Sequence, residues 1–244
     1  MGNTATVTVR KTYDVVGDVH GCLDALVRLG AALGYDAEFR HPQGRTVVFV
    51  GDLIDRGPDS AGVLRLVSRL WRAGRARLVL GNHDDALLRW LRGAPVDLAD
   101  GGLGATVAQI TDAPDSASLI RECRALLEAA PLVLPLDGGR LVVVHAGLEE
   151  GMMGRPIDAE MRRFILNGDA IGKTPEGRTV RRDWAAEYHG ATFIVYGHTP
   201  QARAEVRGQT VNIDTGAVRG GLLTAVRWPE GVLVSVPSHF GTPG

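Results

Sequence analysis

Cysteine is almost absent from this chain of 244 residues: Cys22 and Cys123 stand alone, without metal-binding spacing. Two such residues exclude a disulfide framework and a thiolate metal site, and they point to a reducing, cytoplasmic setting. Lysine is as scarce, at Lys11 and Lys173 only, so arginine carries the positive charge. Its planar fork suits phosphate, although a solvated arginine surface accounts for most of these side chains. Neither sign of charge is in excess. A formal net charge of −1 excludes a global basic field for long nucleic acid and leaves room for a local basic pocket. No apolar run reaches membrane-spanning length, and no charged segment leading into an apolar core opens the chain. Residues 1–6, beginning Met1-Gly2, formally fit an N-myristoylation pattern, but no basic cluster beside them supports anchoring. Linker-like, repeated and low-complexity segments are also missing, so one domain over residues 1–244 is expected.

What the chain does have is a rhythm. Three apolar runs in the first ninety residues each end in a loop bearing glycine and a polar donor. Val15-Val16 leads into Gly17-Asp18-Val19-His20-Gly21, and residues 46–50 into Gly51-Asp52-Leu53-Ile54-Asp55-Arg56-Gly57. Residues 77–80 lead into Gly81-Asn82-His83-Asp84. Length and β-branched content mark each run as a buried strand, and an amphipathic stretch follows each loop. The first predicted helix carries Leu23, Leu26, Val27 and Leu33 and stops at Gly34. Pro58 and Gly74 bracket the second, whose stripe is Val63, Leu64, Val67, Leu70 and Trp71. The third holds Leu87, Leu88 and Leu91 and ends near Gly93. Steps of 34 residues from Asp18 to Asp52 and 30 from Asp52 to Asn82 match βαβ units. Such units align their loops along one edge of a parallel sheet, where α/β proteins build sites.

Residues 94–130 break the rhythm. Asp100-Gly101-Gly102-Leu103-Gly104 reads as a flexible loop rather than a phosphate cradle, because no strand precedes it. Helices over about 105–111 and 116–130 follow, a small helical insertion beside the site. Residues 131–136 and 141–144 flank Asp137-Gly138-Gly139-Arg140 as a hairpin. Asp158 is expected to cap a helix running through Ile165. Residues 192–196 and 209–213 read as strands ending at Gly197-His198-Thr199 and Asp214-Thr215-Gly216, and 222–228 with 232–236 as a closing hairpin. A parallel first half and an antiparallel second half suggest an α/β fold: a central two-sheet β-sandwich with helices outside.

Carboxylate, imidazole and amide gather at those strand ends, the ligand set of a binuclear hydrolytic metal centre. Asp18 and His20, two positions apart, can turn to one ion; Asp52 can bridge two; Asn82, His145 and His198 complete the second. Paired ions lower the pKa of water, aim it in line at phosphorus and neutralise phosphate oxygens. Arg56 offers a fork for the oxygens not under attack, with Asn82 and His83 beside it. His83 is placed to protonate the leaving oxygen, and Asp55 to fix its tautomer. Taken singly, each of these is more often an ordinary structural residue. Together they are not: Gly-Asp-x-His-Gly alone arises by chance in roughly one chain in a thousand, and two further motifs follow in order. Four of the seven histidines (His20, His83, His145, His198) lie in these loops, and His41, His189 and His239 receive no role. Asp214 reads equally as support for a ligand and as a turn residue. Arg155, Arg181 and Arg182 read as contacts to a second phosphate or as solvated surface.

On these residues the chain resembles the PPP-type, calcineurin-like metallophosphoesterases, whose five signatures look like 17–21, 51–57, 81–84, His145-Ala146-Gly147 and Gly197-His198. The resemblance implies the sandwich fold and two divalent transition-metal ions, commonly manganese and otherwise nickel, iron or zinc. It also implies the roles already argued for Asp18, His20, Asp52, Asn82, His145 and His198, and for Asp55, Arg56 and His83. Arg181-Arg182-Asp183-Trp184-Ala185-Ala186, residues 195–200 and 212–216, and Ser235-Val236-Pro237 extend the likeness. Over nearly the whole chain it is similar to bacterial stand-alone diadenosine-tetraphosphatases and to the phosphatase module of bacterial polynucleotide kinase-phosphatases. A kinase P-loop and a ligase segment are not found, which favours the stand-alone relatives. Gly101-Gly102-Leu103 departs from the His-Gly-Leu of those relatives, and with it goes a substrate contact or helper imidazole.

The expected activity is hydrolysis of phosphoester or phosphoanhydride bonds in a small phosphorylated substrate, a nucleotide and foremost a dinucleoside polyphosphate. One alternative is a phosphatase or cyclic phosphodiesterase acting on RNA ends or nucleotides. Another is a bacterial PPP-type Ser/Thr protein phosphatase, against which stands the missing Trp-Ser-Asp-Pro-type signature between His145 and His198. A binding protein with a metal pocket and no catalysis is disfavoured by the presence of all six ligands and the acid pair. No membrane or long nucleic-acid partner is expected, and nothing in the sequence fixes an oligomeric state.

Overall fold

The computed structural model describes residues 11–240 except Glu176 and Arg178; the 1–6 pattern lies outside them. Strand β1 (Tyr13–Val16) sends Tyr13 and Val15 into one core and Val16 into another, the alternation a pleated strand imposes. Strands β2 (Thr46–Phe49) and β3 (Ala76–Leu78) run parallel beside it, Val15 opposite Val48 and Val48 opposite Arg77. On the other side, β11 (Leu222–Trp228) is antiparallel to β1 and pairs with β12 (Val232–Pro237). The sheet is therefore ordered β12-β11-β1-β2-β3.

A second sheet, ordered β4-β5-β8-β10-β9, consists of β4 (Val133–Leu136), β5 (Leu141–Val144), β8 (Phe193–Tyr196), β9 (Val206–Arg207) and β10 (Thr210–Asn212). Leu141, Val143, Phe193, Val195 and Val211 on one face close onto Tyr13, Val15, Val48 and Val226 of the first sheet. The outer face of the first sheet is covered by α1 (Leu23–Leu33), α2 (Ser60–Arg72), α3 (Asn82–Leu91), α4 (Leu103–Thr111) and α5 (Ser116–Ala129). The outer face of the second carries α6 (Ala159–Asn167), capped by the Asp158 carboxylate on the Met161 amide, and the turn Trp184–Glu187.

The two-sheet sandwich agrees with the sequence reading, and three details differ. The second half is mixed rather than antiparallel: the expected hairpins form as β4–β5 and β11–β12, but parallel pairs stand between them. β5, β8 and β10 run parallel, because the long β5–β8 connection holds α6 as a crossover, and the β11–β12 hairpin joins the first sheet instead. Val27 is 49% exposed, since α1 turns Ala25, Leu26, Leu29 and Leu33 inward. A hairpin of β6 (Ala170–Lys173) and β7 (Thr179–Arg181) forms outside both sheets. Its residues are largely exposed, so no apolar alternation announced it. The 94–130 helices form and pack on α2 and α3 as part of the helical layer.

Candidate metal and phosphate site

Each candidate ligand follows a strand directly. Asp18 and His20 follow β1, Asp52 follows β2, Asn82 opens α3 just beyond β3, His145 follows β5 and His198 follows β8. The first three loops are stitched together: the Val19 and His20 amides donate to the Asp52 carbonyl, and Gly21 donates to that of Leu53. Asp84, fully buried, accepts from the Leu53 amide (3.1 Å) and the Gly81 amide (3.2 Å), tying the second loop to the third. The backbone is strained where it presents side chains. Of the seven non-glycine residues with positive φ among the described residues, five are His20, Asp52, Asp55, Arg56 and His198. Such conformations cost of order 1–3 kcal/mol each and persist where surrounding structure enforces them.

The side chains converge in two groups that share Asp52. Its Oδ2 lies 3.5 Å from His20 Nε2, and its Oδ1 lies 3.4 Å from His145 Nε2. His145 donates through Nδ1 to the Val50 carbonyl (2.9 Å), so Nε2 points inward, 3.0 Å from Asn82 Oδ1 and 3.1 Å from His198 Nδ1. Asn82 Oδ1 is in turn 3.0 Å from His198 Nδ1. His20 likewise commits Nδ1 to the Ile54 carbonyl (2.7 Å) and aims Nε2 at the site. Asp18 Oδ2 takes the His198 amide at 3.0 Å. Its Oδ1 and His198 Nε2 are two of the four buried polar atoms lacking a partner among the described residues. Acceptors that face one another, with a buried carboxylate oxygen of Asp18 left without a partner beside them, are what a cation resolves. Nitrogen and oxygen donors without sulfur fit divalent first-row ions.

The electrostatics say the same. Burial works against charge on His145, but Asp52 and then Asp18 override it and hold its pKa up to about 9. Asp52 meets the reverse: burial opposes its charge, and His145 foremost keeps it well below the carboxylate range. Burial, then repulsion from Asp214 and Asp52, drives Asp18 well above that range. Burial pushes His20 down to about 4 and His198 down to about 3, leaving both neutral with free lone pairs. Burial also lifts Asp214 to about 6 and Asp84 to about 7. Protons thus sit where a cation's charge would be, and a divalent ion would displace them.

Beside this cluster, His83 Nδ1 donates to Asp55 Oδ2 at 2.6 Å. Arg56 spans the mouth, NH1 2.9 Å from His20 Nε2 and NH2 2.7 Å from His83 Nε2. His83 thus lies within reach of Asp52 and His20 and makes a donor trio with them, but both its ring nitrogens are already engaged. Gly101 stands over the ring: a Cβ there would lie 2.7 Å from His83 Cε1. An open cleft of about 760 Å³ runs from Arg56, Asn82 and His83 along α3 to Arg89 and Val96, within the range of small-ligand sites.

The arginines separate. Arg182 is consumed by Glu149, Asp169 and Glu187, and Arg155 bonds the Gly151 carbonyl at an exposed site. Arg181 donates to the Asn167 carbonyl (2.8 Å), and burial lowers its proton affinity. Asp214 accepts the Gly216 amide and repels Asp18. Sequence reasoning assigned nothing to Asp84, Ser60 or Thr106, yet all three hold site loops or Asp55 in place. Only Asp84, inside the third motif, carried a local signal.

Fold and donor cluster together define a class, the hydrolases that work on phosphate with divalent metal ions. Residues 12–202 match the model of the calcineurin-like phosphoesterases, and the chain belongs to that family. It is 44% identical to bis(5'-nucleosyl)-tetraphosphatase PrpE [asymmetrical] of Bacillus velezensis over 93% of both chains. With the protein of the same name from Geobacillus thermodenitrificans it shares 46% identity over 93% of this chain and 94% of that one. Among solved structures, a candidate diadenosine tetraphosphatase superposes with a TM-score of 0.68 at 27% identity, covering 97% of this chain and 96% of its own.

Proposed function

We propose that this chain hydrolyses dinucleoside polyphosphates in the cytoplasm, with Asp18, His20, Asp52, Asn82, His145 and His198 holding two manganese ions. The observation that carries the reading is the divided carboxylate of Asp52, one oxygen toward His20 and the other toward His145. When bound, the ions supply the Lewis acidity that makes water a nucleophile at neutral pH. The protein's part is to orient. Arg56 gives its two terminal nitrogens to phosphate oxygens, with Asn82 alongside. As water adds to phosphorus and the bridging P–O bond breaks, the leaving oxygen takes a proton from His83 Nε2, the nitrogen opposite the Asp55 bond. The names of the Bacillus and Geobacillus relatives support the choice of substrate, and the cleft beyond His83 has room for a leaving nucleotide.

The test is turnover of diadenosine tetraphosphate, a 2',3'-cyclic nucleotide and a phosphopeptide by manganese-loaded protein, before and after chelation. We expect ATP and AMP from the first compound, activity lost with chelator and restored by manganese. His83→Ala lowers kcat by about 10²–10⁴. No turnover of the dinucleotide alongside turnover of another compound overturns the substrate, and an unaltered rate in His83→Ala overturns the acid.

A further inference from the structure

We infer that Thr106, a fully buried residue of α4, is a positioning residue for the His83–Asp55 pair. This rests on the reading of His83 as the acid. The Thr106 hydroxyl donates to Asp55 Oδ1 at 2.6 Å, while Asp55 Oδ2 holds His83. Ser60 of α2 closes a circuit: its Oγ accepts the Asp55 amide at 2.9 Å and lies 3.0 Å from Thr106 Oγ1. The Thr106 hydroxyl has two acceptors within reach, Asp55 Oδ1 at 2.6 Å and Ser60 Oγ at 3.0 Å, and the shorter, charged contact takes its proton while Ser60 Oγ keeps the Asp55 amide.

Thr106 departs from the usual habit of its residue type. Threonine inside a helix ordinarily bonds the carbonyl one turn earlier, as Thr111 of the same helix does with Val107 at 3.0 Å. Thr106 reaches out of the helix instead, to a carboxylate 51 residues away. The start of α4 is wedged against the same pair. A Cβ on Gly102 would lie 2.9 Å from the Arg56 amide nitrogen, and one on Gly101 2.7 Å from His83. The Gly102 carbonyl then accepts the Ala105 and Thr106 amides as the helix begins. Helix α4 therefore fixes both the plane of the carboxylate and, through it, the direction in which His83 Nε2 points.

An acid that is misaimed matters most when the leaving oxygen needs a proton. Thr106→Val keeps shape and loses the donor. With manganese-loaded protein we expect kcat on phenyl phosphate, a poor leaving group, to fall about 10–100-fold. The loss on 2,4-dinitrophenyl phosphate, whose leaving group needs no proton, stays within about threefold, and KM stays within about twofold for both. Thr106→Ser restores most of the loss. In metal-free protein the proton resonance of the His83 Nδ1–H, identified by its disappearance in His83→Ala, shifts upfield in Thr106→Val and returns in Thr106→Ser. Should the valine variant not fold, Ser60→Ala breaks the circuit at its other member and is read by the same leaving-group comparison. Equal losses on the two esters, a change in KM alone, or an unmoved resonance overturns the inference. If His83→Ala shows the leaving-group dependence and Thr106→Val does not, only the inference falls. If His83→Ala lacks it as well, the acid reading falls, and the inference with it.

Discussion

Replacing Gly81 by alanine measures how closely the site is built around Asp52. Gly81 has φ −85° and ψ 168°, an extended conformation that alanine adopts freely, so the substitution brings no backbone strain. Its Cβ, however, would overlap the Asp52 amide nitrogen and Oδ1, well inside the 3.0 Å that real Cβ contacts essentially never breach. Asp52 has nowhere easy to go. Oδ1 accepts the His83 amide at 3.0 Å, and the Asp52 carbonyl takes the Val19 and His20 amides from the neighbouring loop. Either the carboxylate or its strand end must retreat. Overpacking of this kind costs about 1–3 kcal/mol of stability, and each kcal/mol lowers Tm by about 2–4 °C in a chain of this size. Function is the more sensitive readout, because displacing a site group by about 1 Å costs on the order of 10²-fold in rate. The expected variant is folded, melts a few degrees lower, retains fewer than two manganese ions per chain by elemental analysis, and turns over an aryl phosphate about 100-fold more slowly. Gly151→Ala, with nothing within 4 Å of the added methyl, leaves all three measurements unchanged. A Gly81→Ala protein with both ions and full turnover would refute the argument that the site depends on where Asp52 stands.

Asp84→Ala removes the acceptor of two buried amides, each about 1–3 kcal/mol to leave unpaired. Urea unfolding should show a loss of about 2–4 kcal/mol, and a loss below about 1 kcal/mol contradicts the stitch it forms between loops. The metal-free protein should also weaken with rising pH. His145 binds its proton more tightly folded, at about 9 against 6.5, so its contribution is complete below pH 6.5 and is lost as pH rises through about 9. Asp214, at about 6 against 3.8, loses its contribution between those values in the same direction. Thermal midpoints of chelator-treated protein therefore fall between pH 6.5 and 9, whereas the manganese-loaded protein, relieved of the His145 proton, varies less. A midpoint that rises across this window contradicts the assignment.

The residues that face the site and those that hold it differ in how they reveal themselves, and the difference is physical. Asp18, His20, Asp52, Asn82 and His83 each lie within a few residues of an apolar strand, so burial periodicity and local motif located them together. Apolar burial is non-directional and repeats with the period of the element, which makes it visible along a chain. Hydrogen bonds are directional and belong to particular partners. The partners of Asp84, Ser60 and Thr106 across the fold lie 31, 46 and 51 residues away, and no local pattern joins them. Arg181 and Arg182 are adjacent and alike in sequence, yet only the fold brings three acids to Arg182 and none of them to Arg181. Arg45 is buried on Asp14, whose carboxylate also takes the Tyr35 hydroxyl, and nothing next to it in the sequence marks that pairing. The direction of β8 was equally hidden, because it depends on α6 crossing between β5 and β8 rather than on the strands' own residues. It follows that substitutions at Thr106 and Ser60 should slow hydrolysis of esters with poor leaving groups, and one at Asp84 should weaken the fold, while every recognisable motif ligand remains in place. A chain of this family that keeps all its metal ligands but lacks these three would be expected to hold its ions yet protonate a leaving oxygen poorly.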